Sequence, residues 1–133
     1  MSESSTIIIV NGATGQMGSR VCALARDDSA FNVVARVAHA GSRAFAQPDA
    51  QGATKHDPCE KPLRTPHDLG SLAHKPDVVI DFSSDAGALD ALALALRFDA
   101  ALLVGTTALT APTLEKLRAG SKKISVLIAS NTS

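Results

Sequence analysis

Three glycines, Gly12, Gly15 and Gly18, fall at Gly-x-x-Gly-x-x-Gly spacing within Val10-Asn11-Gly12-Ala13-Thr14-Gly15-Gln16-Met17-Gly18. An apolar, β-branched run (Thr6-Ile7-Ile8-Ile9-Val10-Asn11) precedes them, and a helical pattern follows. Strand, glycine-rich turn and helix in that order make a phosphate cradle. The turn brings backbone N–H groups close to an anion, and the helix N-terminus carries about half a positive elementary charge. Glycine is needed where the backbone takes positive φ or where a side chain would block the ligand. The spacing is one residue longer than the Gly-x-Gly-x-x-Gly fingerprint. Its place after the first strand is therefore what points to a nucleotide cofactor rather than to an unliganded turn.

A dinucleotide fingerprint expects an acid at the end of the second strand, to bind the ribose 2′-hydroxyl. Here that stretch reads Val37-Ala38-His39-Ala40-Gly41-Ser42-Arg43, with no acid. His39 and Arg43 suit a 2′-phosphate, so the reading favours NADPH, or tolerance of both NADPH and NADH; the alternative is that both are solvated loop residues. Gly105-Thr106-Thr107 sets a small residue and two hydroxyls at a strand end, suited to a flat ring or simply to a capped turn. Asp81 also ends a strand. A side chain tied to nearby backbone is the expectation there, ahead of a catalytic acid. His39, His56, His67 and His74 lack metal-ligand spacing. No Ser/His/Asp arrangement stands out. Cys22 and Cys59 read as buried or incidental thiols.

The elements that must position these residues alternate. Residues 6–11 read as a buried strand. A helix is expected from about Gly15 to Asp27, with Met17, Val21, Leu24 and Ala25 toward the sheet. A strand over Phe31–Ala38 completes a βαβ unit. Residues 40–66 carry four prolines and read as a long irregular crossing, with a short strand near Ala53-Thr54. A short helix is expected over 67–74, with Leu69 and Leu72 inward. Next come a strand over 77–82, a helix over 86–98 capped by Ser84 or Asp85, and a strand over 101–104. A helix capped by Thr110, with Pro112 in its first turn, runs to Gly120, and a last strand covers 125–129. This order predicts a Rossmann-like, doubly wound α/β fold: a parallel sheet with helices on both faces. Ligands of such sheets sit beyond the strand C-termini, near the topological switch point.

The bulk numbers narrow the function. The 133 residues suit one domain, with 13 Lys+Arg balancing 13 Asp+Glu. Zero net charge argues against a general nucleic-acid or membrane-surface binder. Aromatics are 3%, all Phe, which leaves no stacking platform for single strands. No run of about 20 apolar residues offers a membrane span, and Met1-Ser2-Glu3-Ser4-Ser5 has no basic n-region. The expectation is a cytoplasmic protein.

Four motifs in order, Val10–Gly18, Val79-Ile80-Asp81-Phe82-Ser83, Val104-Gly105-Thr106-Thr107 and Ala129-Ser130-Asn131-Thr132-Ser133, together resemble the N-terminal domain of dihydrodipicolinate reductase. That family is the 4-hydroxy-tetrahydrodipicolinate reductases of the diaminopimelate and lysine pathway. The resemblance implies an NAD(P)H site. Gly12, Ala13, Thr14, Gly15, Gln16 and Met17 would wrap the pyrophosphate, and His39 would stand where the family often has an acid. Gly105, Thr106 and Thr107 would line the nicotinamide, and Ala129, Ser130, Asn131 and Thr132 would close over it. Thr132 replaces a family aromatic, and Ser83-Ser84-Asp85 replaces a Thr-Arg-Pro segment.

The resemblance further implies hydride transfer to a cyclic dicarboxylate by a longer enzyme. In that enzyme a C-terminal domain binds substrate, supplies the proton and builds a homo-oligomer. The expectation is thus an N-terminal dinucleotide-binding domain over 1–133, with no catalytic residue of its own and no metal, and inactive alone. Two alternatives stand beside it. A short-chain-type reductase shares Gly-Ala-Thr-Gly-x-x-Gly but uses a Tyr-Lys pair, and this chain has no tyrosine. The other is a non-catalytic nucleotide-binding module.

Overall fold

The structure, a computed structural model, describes residues 5–42, 45, 63–69, 72 and 74–129. Six strands form one sheet: β1 (Thr6–Asn11), β2 (Phe31–Val37), β3 (Leu63–Arg64), β4 (Val78–Asp81), β5 (Ala101–Val104) and β6 (Val126–Ile128). All pairings between them are parallel, and the order is β3-β2-β1-β4-β5-β6. Three helices complete the described elements: α1 (Gln16–Arg26), α2 (Asp85–Phe98) and α3 (Ala111–Gly120). The chain departs from β1 to one side, through β2 and β3, then returns to place β4 on the other. The switch point lies between β1 and β4, where such folds hold their ligands.

Helices cover both faces, because the central strands are apolar on both. In β1, Ile8 and Val10 join Cys22 and Ala25 of α1 in one core cluster, while Ile9 belongs to the cluster on the other face, which holds the Ala88–Ala95 stretch of α2 and Leu117 of α3. Full burial of a side chain such as Ile9 or Leu117 is worth about 1.5–3 kcal/mol. Ser84 caps α2 by accepting the Gly87 N–H at 3.0 Å. Asp99 ends that helix in the left-handed conformation (φ 55°), which a short polar side chain tolerates.

Three local expectations need correction. The sheet-facing stripe of α1 is Gly18, Cys22 and Ala25, not Met17 and Leu24, which are 48% and 65% exposed. The start of the helix lies so close to the glycine loop that a Cβ on Gly18 would overlap the Gly12 carbonyl. Only small residues fit beneath it, and the bulky ones are turned outward. Residues 67–69 do not begin a helix. Thr65 and Asp68 bridge across a tight turn, closed by the Asp68 N–H donating to the Thr65 carbonyl at 3.2 Å. Pro66 occupies the second position of that turn, which its fixed φ favours. Leu69 and Leu72 still reach the core. The edge strand is Leu63–Arg64, inside the stretch read as irregular. The strand expected near Ala53-Thr54, like Cys59, lies outside the described residues.

Candidate functional site

The glycine loop leaves β1 under tight constraint. Gly12 has φ 80°, and a Cβ there would collide with the Phe82 carbonyl. The Gly12 and Ala13 N–H groups both donate to the Val37 carbonyl, at 2.8 and 3.1 Å, tying the loop to the end of β2. Gly15 differs from the other two glycines. Its φ is −79°, and the nearest atom to an added Cβ is the Gly12 carbonyl oxygen at 3.5 Å. It is also the N-cap of α1, with no side chain to satisfy the first-turn N–H groups. Thr14, Gly15, Gln16 and Met17 are exposed, while Ala13 is turned into the core with Ile8 and Val10.

Behind the loop lies a buried polar knot. Asp81 is fully buried at the end of β4. Its Oδ1 accepts from Asn11 Nδ2 at 2.9 Å and from Ser83 Oγ at 2.5 Å; its Oδ2 accepts from Thr106 Oγ1 at 2.6 Å. Asn11 also donates to the Gly87 carbonyl at 2.9 Å. Thr106 Oγ1 accepts the Ser83 N–H at 2.8 Å. Burial pushes the Asp81 carboxyl above the usual carboxylate range. The hydrogen bonds from Ser83, Thr106 and Asn11 offset part of that, and the nearby Asp90 charge adds to it. The expected tie to backbone is thus a tie to three side chains. Among the described residues, no buried side-chain polar atom lacks a hydrogen-bond partner.

A cleft of about 260 Å³ opens over the switch point. Gly12, Thr14, Gly15 and His39 form one wall, and Ser83, Ser84 and Asp90 form another. The His39 Nδ1 accepts the Gly41 N–H at 3.2 Å, so a proton on the neutral ring sits on Nε2. Gly105 lies beyond Phe82, where a Cβ would overlap the Phe82 ring. Thr106 is buried and Thr107 exposed; the next residue, Ala108, takes φ 59°. Ala129 is exposed and extends β6, its N–H donating to the Val104 carbonyl at 2.8 Å. The glycine loop and His39 therefore share one cleft, while Gly105–Thr107 and Ala129 sit at the neighbouring strand ends across Phe82. Arg43, Ser130, Asn131 and Thr132 lie outside the described residues. The sequence reading missed Asp90 in the cleft wall. Its signal was a lone acid in the apolar run between Asp85 and Arg97.

Among the described residues, no group of three or more His, Cys, Asp or Glu is placed to hold a metal, and no helix is long and apolar enough to cross a membrane.

The strand order and the glycine loop at the switch point define a Rossmann-like domain of the nucleotide-binding class. Residues 6–132 match the family described as dihydrodipicolinate reductase, N-terminus, and the chain belongs to that family. It is 31% identical over 126 residues to a 4-hydroxy-tetrahydrodipicolinate reductase of Burkholderia ambifaria, across 95% of this chain and 46% of the relative. A Bordetella pertussis protein of the same name is 30% identical, across 95% and 45%. The chain spans less than half the length of these relatives. The fold also matches a dipicolinate-bound dihydrodipicolinate reductase from Paenisporosarcina sp. TG-14, with a TM-score of 0.65 and 18% identity, over 96% of this chain and 48% of that one.

Proposed function

We propose that this chain is the dinucleotide-binding domain of a 4-hydroxy-tetrahydrodipicolinate reductase, holding NADPH or NADH for reduction of a cyclic dicarboxylate. The carrying observation is the exposed run Thr14–Met17 at the uncapped start of α1, whose Thr14 and Gly15 line the cleft at the switch point. The exposed Gly15, with no side chain over its backbone, fits a pyrophosphate drawn close to the chain. When bound, the reduced nicotinamide supplies the hydride. The chain's own residues bind and orient: Thr14–Met17 hold the phosphates, Gly12 and Ala13 fix the turn through their bonds to Val37, and His39 flanks the adenosine ribose. Gly105–Thr107 and Ala129–Thr132 border the ring. Substrate binding and proton delivery belong to a further domain, of the kind the longer relatives have room for. The 133 residues alone bind cofactor without turnover.

The end of β2 offers no carboxylate to repel a 2′-phosphate, and His39 stands in its place. NADPH is therefore expected to bind at least as well as NADH. Calorimetric titration of the protein and of Gly15→Val tests both points. A Cβ at this position meets the Gly12 carbonyl oxygen only at ordinary contact distance, 3.5 Å, while the branched side chain fills the phosphate approach. The variant should stay folded, with stability lowered by about 1 kcal/mol because valine is a poor N-cap, and should bind NADPH roughly a hundredfold more weakly, about 2.8 kcal/mol. Unchanged affinity removes the loop from the site, and a strong NADH preference removes the role given to His39.

A further inference from the structure

Thr106 has been placed against the ring by its position, yet its hydroxyl proton is already engaged within the protein, so the side chain has no donor for a ligand. Its proton goes to Asp81 Oδ2 at 2.6 Å, it accepts the Ser83 N–H at 2.8 Å, and the residue is 4% exposed. Asp81 meanwhile grips two consecutive residues of the same turn. Its carbonyl accepts the Gly105 N–H at 2.8 Å, and its carboxylate accepts the Thr106 hydroxyl. The same carboxylate accepts from Asn11, the residue before Gly12. One buried anion thus ties together the ends of β1, β4 and β5. Because it is fully buried, it does not touch a ligand itself.

We propose that Asp81 is a positioning residue for the nicotinamide half of the site, acting through the Thr106 hydroxyl to hold the Gly105–Thr107 turn at the depth the ring requires. The proposal rests on the dinucleotide reading above. It assigns the Thr106 side chain to the scaffold and leaves backbone and Thr107 to meet the ring. A doubly wound sheet binds the two halves of a dinucleotide on opposite sides of its switch point. A defect at the end of β5 should therefore be felt by one half only.

The test compares NADPH with 2′-phospho-ADP-ribose, which lacks only the nicotinamide, on the unaltered protein and on Thr106→Val, Thr106→Ser and Asp81→Asn. The unaltered protein should bind NADPH more tightly than the truncated ligand. Thr106→Val keeps the shape and loses the hydroxyl. Its NADPH affinity should fall about tenfold, the order of one hydrogen bond, with binding of the truncated ligand unchanged. Thr106→Ser should restore the difference, and Asp81→Asn should reduce it. Should Thr106→Val not fold, Asp81→Asn with the serine variant carries the same comparison. Equal losses for both ligands, no loss for either, or equal binding of both ligands by the unaltered protein overturns the proposal alone. If the unaltered protein binds neither NADPH nor NADH, the dinucleotide reading falls, and the proposal with it.

Discussion

Gly12, Gly15 and Gly18 look equivalent in the sequence and are not. Gly12 and Gly18 are required by the protein's own backbone, which leaves no room for a Cβ at either; Gly15 is compatible with one. Substitution at Gly15 therefore reports on the ligand beyond a modest loss of helix capping, while substitution at its neighbours reports on folding. Asp81 makes a different residue-scale prediction. Its carboxyl is raised mainly by burial, so the folded protein holds that proton more tightly than the unfolded chain does. The stability it contributes is full below the ordinary carboxylate pKa and is lost as pH rises through the raised value. Asp81→Asn has no such titration. In urea unfolding, the stability of the parent relative to Asp81→Asn should therefore increase between pH 7 and pH 4.5. Taking the difference against this variant sets aside Asp85, whose carboxyl is lowered, chiefly by the Thr110 backbone N–H, and which loses stability in the opposite direction on acidification.

Among the elements, the starts of α2 and α3 are joined. Thr110 caps α3 by accepting the Thr113 N–H, and its own N–H donates to Asp85 in the first turn of α2 at 2.7 Å. Thr110→Ala removes the cap and should cost about 1 kcal/mol, read as a lower urea midpoint with an unchanged slope. Both caps were legible in the sequence. Ser84 stands before an apolar helix and Thr110 before Ala111-Pro112, and these signals are local. The strands around the switch point were legible for the same reason: their apolar runs are bounded by polar or glycine residues. The inward face of α1 was not, because the close approach that selects Gly18, Cys22 and Ala25 depends on the path of the loop beneath it. The two-residue β3 was not legible either. Its pairing is imposed by β2 rather than by any alternation of its own. At the site, the glycine loop was visible as a motif. The wiring of Asp81 to Asn11, Ser83 and Thr106 joins residues up to 70 positions apart, and only the sheet brings them into register.

Across the whole molecule, the two faces of the sheet are unevenly covered. Val10, Ile80, Leu103 and Leu127 form one row through the register of β1, β4, β5 and β6. That row runs from fully buried at Val10 to 61% exposed at Leu127. Its neighbour on the opposite face, through Val79, Leu102 and Val126, stays buried or half-buried beneath α2 and α3. A strand that packs on one side only opens at lower free energy than one packed on both. Amide hydrogen exchange should therefore be slowest in β1 and β4 and fastest in β6 and in the two-residue edge β3. Ala129, assigned above to the border of the ring, follows directly on this least protected strand. A cofactor gripping both halves of the site should slow exchange most in β6, so that the bound nucleotide supplies the protection which packing withholds from that edge.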